Sequence, residues 1–127
     1  MKAYITYRDS PSFWGLFLKK DFRHCSLVLD YESYIVFVES RHRGVSIDIQ
    51  DTPTEWKKQN HISKLRSLFP TVDVFEVQPE GEHVHSIFSC VELTKRMLGI
   101  NKWWIITPYQ LHKYIQKEDK NNAKRSI

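Results

Sequence analysis

Phe22-Arg23-His24-Cys25-Ser26-Leu27-Val28-Leu29 is the stretch on which the fold turns. It reads as a strand, and two more follow it, Tyr34 to Glu39 and Val45 to Ile49, separated by the turn segments Asp30 to Ser33 and Ser40 to Gly44. Three strands joined by short turns form an antiparallel meander. Alternation puts His24, Ser26 and Val28 on one side of the first strand and Cys25, Leu27 and Leu29 on the other.

Upstream, Lys2 to Tyr7 alternates as an opening strand with Ala3, Ile5 and Tyr7 on one face. Ser10 and Pro11 have the order of an N-cap and first helical residue, and Ser12 to Lys20 carries Phe13, Trp14, Leu16 and Phe17 at helical spacing, which predicts a short helix. Downstream, Thr52-Pro53-Thr54-Glu55 has the order of a capping box, with Thr52 as acceptor and Pro53 at the first helical position. Gln59 and Asn60 interrupt the apolar pattern before Ile62, Leu65 and Leu68 resume it, so one or two short helices are expected before Pro70. Val72 to Val77 reads as another strand, closed by the turn Pro79-Glu80-Gly81, and the remainder is helical in two pieces. The expected class is α+β, an antiparallel sheet packed against helices.

A chain of 127 residues that is 41% hydrophobic and 13% aromatic has the length and the apolar content for one core. A single domain is expected over residues 1–116, followed by a basic, solvated tail over 117–127. The apolar runs fall far short of the roughly 20 residues a membrane span requires, and Met1 to Arg8 lacks the apolar core of a secretory signal. The net charge of +4 is spread along the chain, too diffuse for nucleic acid to be an expected partner. Two cysteines cannot make a disulfide framework, and both are read as thiols.

The chemistry-bearing signal is Ser89-Cys90-Val91-Glu92. Ser89 can cap the amide of residue 92 while Glu92 reaches back to the amide of residue 89, which makes Cys90 the first helical residue; Lys95 and Arg96 then fall in the last turn and Gly99 ends the helix. A thiol there faces unpaired amides and the positive end of the helix dipole, which favour thiolate, and the same amides can receive an oxyanion. Most helix-starting cysteines are structural, so Cys90 needs a base. His24 is the candidate, with Glu39 on the neighbouring strand to orient its imidazole; an acidic residue after Ile35-Val36-Phe37-Val38 is costly if buried without a partner. Cys25, on the opposite side of its strand from His24, is expected to serve as a small hydrophobe. His83 and His85 could hold a metal with Cys90 or His61, but the paired spacings of a zinc site are missing, and neither metal nor cofactor is expected. Trp103 and Trp104 are expected to pack, one ring buried and one exposed.

The strand Phe22 to Leu29, the run Val38-Glu39-Ser40 before Gly44-Val45, the helix Cys90 to Ile100 and the segment Thr107-Pro108-Tyr109-Gln110-Leu111 resemble the circularly permuted NlpC-type papain-like cysteine peptidases, in particular small proteins of tailed phages and prophages of proteobacteria. The resemblance covers roughly residues 4 to 115. It implies a papain-like fold with the histidine strand ahead of the cysteine helix, and it implies His24 as base, Cys90 as nucleophile and Glu39 as the third polar residue. It further implies a thiol-dependent amide hydrolase acting on peptidoglycan peptides or a related amide, located in the virion or the bacterial host cytoplasm. The alternative expectation is a virion structural or assembly protein (tail, head-completion or ejection component) whose partners are other virion proteins and whose Cys/His pair is vestigial.

Overall fold

The computed structural model describes residues 1–11, 17–41, 44–77 and 89–125. Five strands, β1 (Lys2–Arg8), β2 (His24–Asp30), β3 (Tyr34–Arg41), β4 (Gly44–Asp51) and β5 (Thr71–Glu76), form one sheet in the order β4-β3-β2-β1-β5 with every neighbouring pair antiparallel. Among the described residues three helices accompany it: α1 (Glu55–Leu68), α2 (Cys90–Leu98) and α3 (Pro108–Arg125). The α+β class and the meander of β2, β3 and β4 stand as expected.

Alternation divides the core. Ala3, Ile5 and Tyr7 of β1, Cys25, Leu27 and Leu29 of β2, Val38 of β3 and Phe75 of β5 line one face, covered by Val91 and Leu98 of α2 and Leu111 and Ile115 of α3. Tyr4, Val28 and Ile35 line the other face, under Ile62 and Leu65 of α1. With β2 on one side and β5 on the other, β1 is buried on both faces, and each fully buried Ile, Leu or Val contributes about 1.5–3 kcal/mol. No described helix is long and apolar enough to cross a membrane.

The helix ends show which local signals operate. Ser89 Oγ accepts from the Glu92 amide at 3.2 Å, and Gly99 closes α2 at φ +71°, with the Ile100 amide bonded to the Lys95 carbonyl at 2.9 Å. The first helix departs from expectation. Its cap is Thr54, whose hydroxyl accepts from the Lys57 amide at 3.2 Å, whereas Thr52 is buried and its amide continues the sheet by bonding the Ser33 carbonyl at 2.8 Å. Pairing at the end of β4 claims Thr52, so the helix starts two residues later. From there α1 runs unbroken for 14 residues, because Gln59 and Asn60 occupy its solvent side. Lys58 pairs with Asp30 at 2.9 Å and ties α1 to the end of β2.

Residues 117–125, expected as a tail, continue α3 to Arg125 with nearly every side chain in solvent. The helix starts at a Thr107 cap: Thr107 Oγ1 accepts from the Gln110 amide at 3.2 Å, and Gln110 Oε1 takes the Ile106 and Thr107 amides at 2.9 and 3.0 Å. The helix expected over Ser12 to Lys20 and the turn Pro79-Glu80-Gly81 fall largely or wholly outside the described residues. Trp103 and Trp104 depart from expectation too, at 73% and 48% exposure; Ile105 takes the buried position beside them and the two rings meet edge to face.

Candidate active site

Cys90 opens α2, half-buried, as its capping residues require. The Glu92 amide is taken by Ser89 Oγ and the Leu93 amide by the Ser89 carbonyl, so the Cys90 and Val91 amides are the donors left at this helix start among the described residues. Helix α2 lies across β2, and the beginning of that strand supplies the surroundings of the thiol: Cys90 packs against the core cluster that holds Cys25, and the His24 ring and the Cys25 thiol and amide act on its ionisation.

These contacts lower the Cys90 pKa to about 4. The largest cause is the hydrogen bond from the Cys25 thiol; burial opposes it, and the His24 ring, the Cys25 amide and the charge of His24 reinforce it. Cys25 responds in the opposite direction. Its own ionisation is pushed well above the ordinary thiol range, chiefly because its proton is committed to Cys90, with burial adding to the effect. One thiolate shared between two thiols therefore resides on Cys90.

His24 is the first residue of β2 and pairs in register with Arg8 of β1. Its Nε2 stands 3.3 Å from Glu39 Oε1, out of line for a hydrogen bond, with no other hydrogen-bond partner among the described residues. Glu39, partly buried in β3, is shared more widely: the Arg8 guanidinium hydrogen-bonds Oε1, Ser26 Oγ lies at 3.5 Å, and Arg41 Nε stands 3.5 Å from Oε2. Two guanidiniums make the carboxylate a node of a small surface network rather than a dedicated partner of the histidine. A cavity of about 340 Å³ opens beside Glu39, lined by Arg8, Ser26, Phe37, Leu65 and Leu68 among others; neither Cys90 nor His24 lines it.

The structure thus brings Cys90, His24 and Glu39 to one end of the sheet. Sequence reading missed two members of the cluster. Cys25 is 1% exposed and apolar in its surroundings, as expected of a small hydrophobe, yet it is the largest cause of the lowered Cys90 pKa. Arg8 could be found only by pairing β1 with β2. His83 and His85 lie outside the described residues, and among the described residues no group of three or more His, Cys, Asp or Glu side chains could hold a metal ion.

A second polar cluster lies on β5. Asp73, 2% exposed, accepts from the Tyr7 hydroxyl at 2.9 Å and His112 Nδ1 at 2.8 Å on Oδ2, and from Gln116 Nε2 at 2.9 Å on Oδ1. Burial first and the Asp73 charge second hold the Tyr7 hydroxyl well above its ordinary pKa, so it stays a donor. This cluster borders a cavity of about 370 Å³ that is also lined by Arg66 and Thr71; among the described residues no thiol lines it.

No protein-family model, curated protein or solved structure matches the chain.

Proposed function

We propose that the chain is a thiol-dependent amide hydrolase with a papain-like fold of the permuted NlpC type. The observation that carries this reading is the position of Cys90, whose sulfur sits at a helix start and is held in the thiolate range at neutral pH, with Cys25 the largest cause and His24 a further one. The order of elements fits as well, with the histidine strand β2 preceding the cysteine helix α2. In this mechanism His24 takes the Cys90 proton, the thiolate attacks the amide carbonyl and the Cys90 and Val91 amides hold the oxyanion. His24 then returns the proton to the departing amine, and water releases the acyl group from sulfur. Glu39, 3.3 Å from the ring, is the acidic residue nearest to His24 in this site. The substrate class is a peptidoglycan stem peptide or a related amide, and the setting is a phage virion or the host cytoplasm.

The test is hydrolysis of labelled stem-peptide amides by the wild type and Cys90→Ala, run beside alkylation of each thiol. Turnover that disappears in Cys90→Ala supports the reading. A folded wild type that turns over none of these amides, with Cys90 alkylating no faster than Cys25, overturns it.

One observation favours a second reading, an assembly component of the virion. Val45, Ile47 and Ile49 project from the same side of β4, which is an edge strand of the sheet among the described residues, and the last two are 63% and 61% exposed. An apolar row on an open edge suits pairing with another protein. Light scattering over a concentration series tests it: self-association abolished by Ile47→Lys supports assembly through this edge, and a monomer at every concentration counts against it.

A further inference from the structure

The hydrolase reading uses one thiol of the two that meet under α2, and Cys25 has no part in proton transfer to an amide. Its geometry is specific. Cys25 projects from β2 onto the face covered by α2, where its sulfur lies 3.6 Å from Thr94 Oγ1, and that hydroxyl donates to the carbonyl of Cys90 at 2.9 Å. Thr94 is one turn after Cys90, and Cys90 packs against the core cluster that contains Cys25, so the Cys25 sulfur is seated beneath the first turn of the helix. At 1% exposure Cys25 is closed to solvent reagents, whereas Cys90 is half-open.

We infer that Cys90 and Cys25 form a two-thiol redox centre, in which Cys90 is oxidised by a hydroperoxide and Cys25 resolves the product to an intramolecular disulfide. The Cys90 thiolate attacks the terminal peroxide oxygen, the O–O bond breaks, and the leaving oxygen takes a proton to depart as an alcohol or as water. Cys90 becomes a sulfenic acid. The Cys25 sulfur then attacks the Cys90 sulfur; the hydroxyl leaves with the Cys25 proton as water, and the S–S bond forms. The two thiols have together supplied the two electrons that reduced the peroxide. A small dithiol reductant returns them by exchange. Burial of Cys25 sets the order of events, since the oxidant meets Cys90 first and Cys25 is already in place to stop the ladder before sulfinic acid. Oxidation would also switch off hydrolysis; that consequence rests on the hydrolase reading, while the disulfide does not.

The experiment oxidises the full-length wild type with stoichiometric hydrogen peroxide and follows intact mass, free thiols and peptide mapping. The expected product has lost two hydrogens and both thiols, yields a crosslinked Cys25–Cys90 peptide, and regains both thiols with dithiothreitol. In Cys25→Ser the expected product is a dimedone-trappable sulfenate on Cys90 that proceeds to sulfinic acid and is not recovered by dithiothreitol. Wild-type Cys90 passing to sulfinic acid while Cys25 stays free overturns the inference, as does a disulfide between two copies of the chain. Should Cys25→Ser fail to fold, the wild-type map alone decides. A protein that forms the disulfide but hydrolyses no amide retains the redox centre and loses the hydrolase reading; one that hydrolyses amides but overoxidises does the reverse.

Discussion

Among the described residues two histidine–carboxylate pairs lie on one sheet, and they are built to different standards. At β5, His112 and Asp73 meet at 2.8 Å in a buried setting where Tyr7 and Gln116 complete the carboxylate. At the start of β2, His24 and Glu39 stand 3.3 Å apart and out of line, and Arg8 and Arg41 share the carboxylate. Quality of hydrogen bonding alone would nominate the first pair as the functional one. The tight pair borders a cavity that no thiol lines among the described residues and joins β1, β5 and α3, as a structural clamp does, whereas the loose pair adjoins Cys90, the thiol with a depressed pKa. A buried polar cluster with every partner in place rigidifies the fold. A catalytic histidine must exchange protons, and looser geometry before substrate binds is compatible with that.

The largest effect separates the two histidines by rate. His24→Ala is expected to lower kcat/KM for amide hydrolysis by about 10²–10⁴-fold, the usual contribution of a general acid–base, while His112→Ala leaves the rate per folded molecule unchanged. Steady-state kinetics on both variants, with the folded fraction measured by circular dichroism, checks this; equal losses would erase the distinction.

Stability should rank the two carboxylates in the opposite order. Asp73→Ala strands the buried Tyr7 hydroxyl and takes the partner from the more open His112 and Gln116, and is expected to cost about 2–3 kcal/mol, against at most about 1 kcal/mol for Glu39→Ala, whose guanidinium partners Arg8 and Arg41 reach water. Urea denaturation of the two variants gives both numbers.

The pH dependence of alkylation sharpens the assignment of the thiolate. Because thiolate is the reactive form and the Cys90 pKa is depressed to about 4, its alkylation rate should hold level from neutral pH down to about pH 5 and fall below that. An ordinary thiol loses about tenfold per pH unit below roughly 8.5. The linked stability has a matching sign. A depressed pKa stabilises the fold most above the ordinary thiol range, and that contribution is lost as pH falls toward about 4. In Cys25→Ala the inflection of the alkylation profile should move upward, since the largest cause of the depression is gone; an unmoved inflection would assign the effect to His24 and the helix start instead.

The smallest effect tests the helix start itself. Ser89→Ala removes the acceptor of the Glu92 amide and is expected to cost about 1 kcal/mol in thermal or urea melts. An unchanged midpoint would place the helix start elsewhere and weaken the dipole argument for Cys90.

Much of this was legible in the chain because the relevant signals are local. Alternation over Phe22 to Leu29 and its two successors, the hydroxyl of Ser89 three residues before Glu92, and Gly99 after the last turn each act within a few residues through sterics and single hydrogen bonds, and each appears where expected. Thr52 shows where local rules fail. Two hydroxyls compete for one cap, and the contact that decides, the Thr52 amide on the Ser33 carbonyl, belongs to the sheet. Trp103 and Trp104 failed likewise, since which residue of a short connection turns inward depends on the surface it crosses.

The sequence by itself therefore determined the strands of the meander, the start and stop of α2 and the presence of a thiol at a helix N-terminus, all through interactions spanning a handful of residues. Only the tertiary structure decided that β5 joins the sheet beside β1, that Asp73 there gathers Tyr7, His112 and Gln116, that Arg8 shares Glu39 with His24, and that Cys25 lies under Cys90. The reason is range. These contacts join residues 31 to 66 positions apart, or similar distances, and depend on which apolar faces close together when the chain collapses rather than on any pattern within a window.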